Sequence, residues 1–262
     1  MTRPLRRWSC AAAMVLAVAL GAEADEIPGN ERRSDYGLMG PELRRMQDDD
    51  SANPGMLWVL DGEVLWQRKD GSAGKACADC HGEAVRSMRG VGARYPAFDQ
   101  TLGRPVDLEG RINACRTKHQ RAEPLAFESR ELLSLAAYVA RQSKGLPISA
   151  DDDAATLPFV AAGRAIFEQR QGQLNLSCAQ CHDDNWGQKL GGATIPQGHP
   201  TGYPLYRLEW QSLGSLQRRL RNCLVGMRAA PYAYGTPEMT ELELFLARRA
   251  QSLTLETPAV RP

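Results

Sequence analysis

The pentapeptide Cys77-Ala78-Asp79-Cys80-His81 returns 101 positions later as Cys178-Ala179-Gln180-Cys181-His182. The segment ahead of it returns at the same spacing, Asp61-Gly62-Glu63-Val64-Leu65-Trp66 against Ala162-Gly163-Arg164-Ala165-Ile166-Phe167. Further on, Arg111-Ile112-Asn113-Ala114-Cys115 is echoed by Arg219-Leu220-Arg221-Asn222-Cys223, and Arg121-Ala122-Glu123-Pro124 by Arg228-Ala229-Ala230-Pro231. A last shared block sets Leu135, Tyr138, Val139, Ala140 and Arg141 against Leu242, Phe245, Leu246, Ala247 and Arg248. A chain that repeats its parts in one order is expected to fold as two copies of one unit, here two tandem domains related by internal duplication.

Within each copy the apolar spacing is helical. Leu132, Leu135, Tyr138 and Val139 stand at i, i+3, i+6 and i+7 in the closing segment, and strand-like alternation is hard to find, so the fold class is all-α. Gly62 and Gly163 fall inside expected helices, where glycine costs roughly 1 kcal/mol against alanine, and a close helix crossing would explain both. The stretch Lys144 to Pro158 interrupts both patterns and reads as a linker; Asp48-Asp49-Asp50 reads as a solvated turn or helix end.

The N-terminus runs Arg3, Arg6 and Arg7, then apolar residues from Ala11 to Leu20, then Ala22-Glu23-Ala24, the pattern of a secretory signal over residues 1–24. Ten apolar residues are too few to span a bilayer, and no run in the chain reaches the roughly 18 that a spanning helix needs. Removal of the signal takes Cys10 with it, so six of the seven cysteines enter an oxidising compartment, the periplasm, where thiols are paired or otherwise committed. With 32 basic and 31 acidic residues the formal charge is +1, too weak a field to hold nucleic acid or an anionic membrane surface. The expected organisation is an extension over residues 25–50, a first domain over 51–147 and a second, catalytic domain over 148–262.

Cys-x-x-Cys-His is the attachment sequence for c-type haem: two thiols add to the vinyl groups and the next residue, histidine, ligates the iron. Two matches in register, in an exported chain, imply two covalently bound haem c groups on Cys77, Cys80 and His81 and on Cys178, Cys181 and His182, in class I-like cytochrome c domains. A zinc site, a redox pair or disulfides do not explain why histidine follows both times. An aromatic content of 6% agrees, since haem supplies apolar bulk that rings provide elsewhere. Cys115 and Cys223 remain, at matching positions. The residues alone leave three readings open: a disulfide between them, two inert thiols, or one distal iron ligand in each half. Met88, Met227, Met239, His119 and His199 are alternative ligands, but none of them repeats between the halves.

From these residues the chain resembles the SoxA family, dihaem cytochrome subunits of SoxAX complexes that act as L-cysteine S-thiosulfotransferases in bacterial sulfur oxidation. The resemblance spans the mature chain and is most specific where Cys223, Arg228-Ala229, Pro231-Tyr232, Tyr234-Gly235 and Pro237-Glu238 follow Arg219. It implies histidine and cysteine axial ligands, His81 with Cys115 and His182 with Cys223, a persulfide on Cys223, and an arginine four residues before it, Arg219. It also implies a heterodimer with the small cytochrome SoxX, oxidative coupling of thiosulfate to a cysteine of the carrier SoxYZ, and two electrons passed to an external cytochrome c.

Thiosulfate is a dianion, and a guanidinium offers it charge with a fork of donors, so Arg219 is the expected substrate contact and Cys223 the expected reacting sulfur. Arg111 precedes Cys115 as Arg219 precedes Cys223, which leaves a contact to a haem propionate as the other role for either. Arg121 and Arg228 are assigned to propionates or to structure. A plain dihaem electron carrier is the competing function, and a dihaem peroxidase a third.

Overall fold

The computed structural model describes residues 27–262; the expected signal peptide, with Cys10, lies outside the described residues. After two short 3-10 turns, α1 (Pro41–Asp48) starts with proline in its first turn, where a missing N–H leaves no intrahelical bond unmade. The half that carries the first Cys-x-x-Cys-His motif, called the first copy after the repeat in the sequence, then follows: α2 (Met56–Gln67), α3 (Cys77–His81), α4 (Ala84–Ser87), the ribbon β1 (Ala97–Asp99) with β2 (Arg104–Val106), α5 (Leu108–Cys115) and α6 (Arg130–Arg141). The second copy runs α7 (Leu157–Glu168), α8 (Cys178–His182), a small hairpin β3 (Lys189–Leu190) with β4 (Ala193–Thr194), β5 (Leu205–Arg207) with β6 (Ser212–Gly214), α9 (Leu216–Gly226) and α10 (Pro237–Arg249). A last strand, β7 (Val260–Arg261), lies parallel to β5. Helix dominates as expected. The strands are two or three residues long, too short for alternation to register in the sequence.

Both expected helix crossings are present. A Cβ on Gly62 of α2 would sit 2.1 Å from the Ser134 carbonyl oxygen of α6, and one on Gly163 of α7 would sit 2.1 Å from that of Glu241 of α10. Glycine is therefore required at both positions by close approach. Around each crossing sits one core: Trp66, Leu108, Ala136, Val139 and Ala140 in the first copy, Ile166, Phe167, Leu242, Phe245 and Leu246 in the second.

The stretch between the copies is packed rather than loose. Ile148 is buried, its N–H donates to Leu253 (2.8 Å), and that of Ser149 donates to Ala93 (2.9 Å). Ile148 joins Ala93, Ala250 and Leu255 in one cluster, and Leu213 of β6 inserts among Trp58, Val59, Leu133 and Ala137 of the first copy. Asp48 closes α1 as expected, while Asp50 ties that turn to α6 through Arg141 (2.6 Å) and Lys144 (3.4 Å).

Candidate functional sites: two cysteine-lined cavities

Each copy holds one cavity between its Cys-x-x-Cys-His helix and the helix that ends near its third cysteine. The first has a volume of about 420 Å³ and is lined by Cys77, Cys80, His81, Arg111 and Cys115 with apolar Trp66, Val91, Ile112, Leu135 and Val139. The second has about 470 Å³ and is lined by Cys178, His182, Arg219 and Cys223 with apolar Ile166, Phe167, Leu220, Leu242 and Leu246. Both volumes fall in the roughly 300–1,000 Å³ range of cofactor sites.

Local chemistry explains how each side chain is placed. The short motif helices are held at their N-termini by reach-back bonds: Asp79 accepts from the Ala76 N–H (2.8 Å), and Gln180 from that of Ser177 (2.9 Å). An aromatic ring backs each histidine, Trp66 at 5.7 Å from His81 and Phe167 at 6.4 Å from His182. The helices bearing the third cysteines are N-capped by Asp107, accepting from Gly110 (2.6 Å), and by Ser215, accepting from Arg218 (3.1 Å). Their i, i+4 spacing sets Arg111 beside Cys115 and Arg219 beside Cys223 on one helix face.

The sulfurs crowd one another. Burial, then the neighbouring Cys223 and Cys181, push the Cys178 thiol up to about 12. Burial followed by Cys115 raises Cys77, and burial followed by Cys223 raises Cys181. Three thiolates around one cavity are thus disfavoured, and converting two of them to neutral thioethers would remove that repulsion. The first cavity therefore has the full donor set for a covalently held haem, two thiols, an imidazole and a third thiol; in the second, Cys178, His182 and Cys223 line the space, and Cys181 stands beside it on the same short helix, near enough to Cys223 to feel its charge.

No disulfide joins the six cysteines in the described residues, and Cys115 and Cys223 line different cavities, which excludes the disulfide between them. Met239 is fully buried and lines neither cavity, and neither does Met227, whose carbonyl instead packs on Gly172. Met88 and His119 line the first cavity, and His199 lines the second. A Cβ on the preceding Gly198 would lie 3.1 Å from the His182 ring, so His199 belongs to the His182 wall and not to the wall opposite. Its Nδ1 is engaged with the Arg33 carbonyl (2.9 Å), and burial lowers its pKa to about 4. Arg121 and Arg228 line neither cavity. Both take left-handed backbone (φ 54° and 56°) and dock against Gly71 and Gly172, tying the chain after the third cysteine to the loop before each motif.

The second cavity has features that the first lacks. His182 Nδ1 bonds the Pro196 carbonyl at 2.7 Å, which fixes the ring and turns Nε2 to the cavity. No hydrogen bond of the His81 ring is found among the described residues. Asp183, next to His182, pairs with buried Arg249 at 2.5 Å, whereas Gly82 follows His81. The N-terminal extension also forms part of this wall, contributing Asp35, Leu38, Met39 and Leu43, as do Arg261 and Pro262 at the other end of the chain. Arg219 is half-buried. Burial opposes its charge, but the Cys223 sulfur and the Tyr203 hydroxyl outweigh that and raise its pKa.

Tyr203 has a counterpart that the motif comparison misses. Tyr95-Pro96 and Tyr203-Pro204 stand 108 positions apart, the spacing that also relates Arg111 to Arg219 and Cys115 to Cys223. From the motif histidine to the tyrosine is 14 positions in the first copy and 21 in the second, and the longer segment carries the β3–β4 hairpin, Pro196 and Gly198. The repeated Tyr-Pro dipeptide was the sequence signal available.

The family profile of the SoxA/TsdA cytochrome c domain matches the chain over residues 61–148 and again over 162–255. The chain belongs to this family. The L-cysteine S-thiosulfotransferase subunit SoxA of Pseudaminobacter salicylatoxidans is 36% identical to it over 245 residues, 93% of this chain and 86% of that one. The subunit of the same name from Rhodovulum sulfidophilum is 35% identical over 232 residues, 88% and 81% of the two chains. A chain in the crystal structure of SoxXA from P. pantotrophus superimposes with a TM-score of 0.85 at 31% identity, over 88% of this chain and 87% of that one. The domains are thus cytochrome c domains of the SoxA/TsdA kind, made for covalent haem c.

Proposed function

We propose that this chain is the catalytic subunit of an L-cysteine S-thiosulfotransferase, with Cys223 as its reacting sulfur and Arg219 as a substrate contact. The observation that carries this reading is the second cavity, where a cysteine in no disulfide and a guanidinium without an ion pair among the described residues stand one helical turn apart, facing the Cys-x-x-Cys-His wall. Relatives that carry this activity in their names align over most of the chain.

The proposed organisation is an extension over residues 25–50 and two tandem cytochrome c domains, 51–147 and 148–262, related by internal duplication; the twofold family match and the common order of helices support it. Each domain takes one haem c. Cys77 with Cys80 and Cys178 with Cys181 would hold it through thioethers, and His81 with Cys115 and His182 with Cys223 would ligate its iron. When bound, the haem supplies an acceptor for electrons beside the sulfur site.

The residues of the chain do the rest. Arg219 neutralises part of the thiosulfate dianion and its donor fork holds sulfonate oxygens. Helical spacing then brings the outer sulfur of that anion to Cys223, so that orientation is set before bonds change. In the net reaction thiosulfate and the thiol of a carrier cysteine join through a new S–S bond. The thiol proton passes to solvent, and two electrons leave through SoxX to an external cytochrome c. The carrier is SoxYZ and the compartment the periplasm.

Mass spectrometry of the carrier tests this reading. After incubation with the haem-loaded SoxX complex, thiosulfate and oxidised cytochrome c, the SoxY cysteine is expected to gain one thiosulfonate. With haem-loaded Cys223→Met in place of the wild type, its mass is expected to stay unchanged. Equal modification by both proteins would contradict the assignment, and no modification by either would leave only an electron carrier.

A further inference from the structure

One charge reversal distinguishes the setting of Arg219 from that of Arg111. In the first copy Asp99 closes β1 and pairs with Arg111 at 2.6 Å, so the guanidinium beside Cys115 is neutralised. The corresponding place in the second copy is Arg207. Tyr95-Pro96-Ala97-Phe98-Asp99 and Tyr203-Pro204-Leu205-Tyr206-Arg207 run in parallel, and the two positions have matching register, Asp99 opposite Arg104 and Arg207 opposite Ser212. Where the first copy sets a carboxylate against its arginine, the second sets another arginine.

Arg207 and Arg219 both line the cavity that contains Cys223. They stand close enough that, after burial, the Arg219 charge is the next cause holding the Arg207 pKa below its ordinary value. Arg207 is fixed by a bond from its Nε to the Pro262 oxygen (2.9 Å) and by stacking over Trp210 (5.3 Å). Its partner Glu209 lies 3.4 Å away with a side chain 64% exposed, so solvent screens that pair. Arg261 is neutralised by Glu256 at 2.6 Å; Asp35 is the one carboxylate side chain on the cavity wall, and burial pushes it up to about 6 while Arg261 acts on it ahead of Arg219 and Arg207, so it offsets those two only in part. Two like charges set together at a half-buried wall are costly unless an anion joins them.

We propose that Arg207 is the second guanidinium of a two-arginine clamp which, with Arg219, holds the sulfonate oxygens of thiosulfate and leaves the outer sulfur facing Cys223. The clamp rests on the proposed transferase reading and deepens it. A haem propionate presents similar oxygens, and the first cavity offers such a group Arg94, Arg116 and Lys75 besides the Arg111 that Asp99 already holds. What the second cavity has and the first lacks is a guanidinium in place of the carboxylate beside its arginine, and the clamp follows that difference.

Arg207→Gln in the haem-loaded SoxX complex is expected to raise the KM for thiosulfate at least about tenfold and to lower kcat by less. Arg207→Asp, which restores the first-copy pair, is expected to raise KM further, and Arg207→Lys to recover part of the loss. Competitive inhibition by sulfate weakens in parallel, while haem content, the absorption spectrum and the midpoint potential stay as in the wild type. An unchanged KM in Arg207→Gln would overturn the clamp, and so would a shifted potential or lost haem accompanying the KM change, which would assign Arg207 to a propionate. Arg219→Gln separates the two levels: an effect there with none at Arg207 removes only the clamp, and no effect at either removes the reading of the site.

Discussion

The two cavities share a scaffold and differ in charge and cover. In each, a glycine lets two helices touch, an aromatic ring backs a histidine, and a capped helix sets an arginine and a cysteine one turn apart. The first cavity cancels its arginine with Asp99 and has an exposed Cys-His edge. The second replaces that carboxylate with Arg207, anchors its histidine through Pro196, and is walled by both the N-terminal extension and the last residues of the chain. On the proposed reading the shared packing serves a cofactor in each cavity, and a charge change at a single strand position, with a wall from elsewhere in the chain, fits one of them to an anion.

The largest stability difference between the halves is expected at Arg249. Removing it in Arg249→Met leaves Asp183 buried without its guanidinium, at a cost of about 3–5 kcal/mol. Denaturant unfolding should show that loss, and Arg249→Met combined with Asp183→Asn should recover much of it. A loss below about 1 kcal/mol would mean that the pair is screened like a surface one. Next come Gly62→Ala and Gly163→Ala, each forcing a methyl against a carbonyl oxygen, with expected losses of about 1–3 kcal/mol. The two values should be similar, and a clear inequality would break the claim of a common scaffold.

A smaller effect sharpens the charge contrast. Arg219→Gln should raise the KM for thiosulfate about tenfold, or about 1.4 kcal/mol, whereas Arg111→Gln should leave it unchanged, because Arg111 already belongs to Asp99. The smallest lies between the halves, where Asp107, Glu109 and Glu243 line one buried cavity of about 80 Å³. Burial, then Asp107 and Glu128, push the Glu109 carboxyl up to about 8. The folded protein therefore holds a proton that the unfolded chain releases, and stability falls as pH rises from about 4.5 to about 8. Glu109→Gln should match the wild type in thermal unfolding below pH 4.5 and exceed it above pH 8. The difference stays small because Asp107 and Glu243 can carry the proton instead. A variant equally shifted at both pH values would show that packing, not titration, is responsible.

The parts legible in the sequence were those whose chemistry is local. The paired Cys-x-x-Cys-His motifs, the matched Cys115 and Cys223, and the glycines at the helix crossings each follow from spacing along one element, and each stands where that spacing puts it. The rest depends on distant segments. Asp35 reaches the second cavity from far along the chain, and Ile148 packs a stretch whose prolines and acids read as a linker. Arg207 stayed hidden because the halves are offset by 101 before the inserted hairpin, by 108 from the Tyr-Pro dipeptide to the third cysteine, and by 107 beyond it. The Tyr-Pro dipeptide, at the offset that also relates Arg111 to Arg219, sets the register that pairs it with Asp99.

The most direct measurement is a comparison of Cys115→Met and Cys223→Met, each loaded with haem and assembled with SoxX, by thiosulfate-dependent reduction of cytochrome c. Cys115→Met is expected to turn over within about threefold of the wild type, and Cys223→Met at least about a thousandfold more slowly, since only the latter removes the reacting sulfur. Equal losses in the two variants, or sustained turnover by Cys223→Met, would contradict the division of labour between the two cavities.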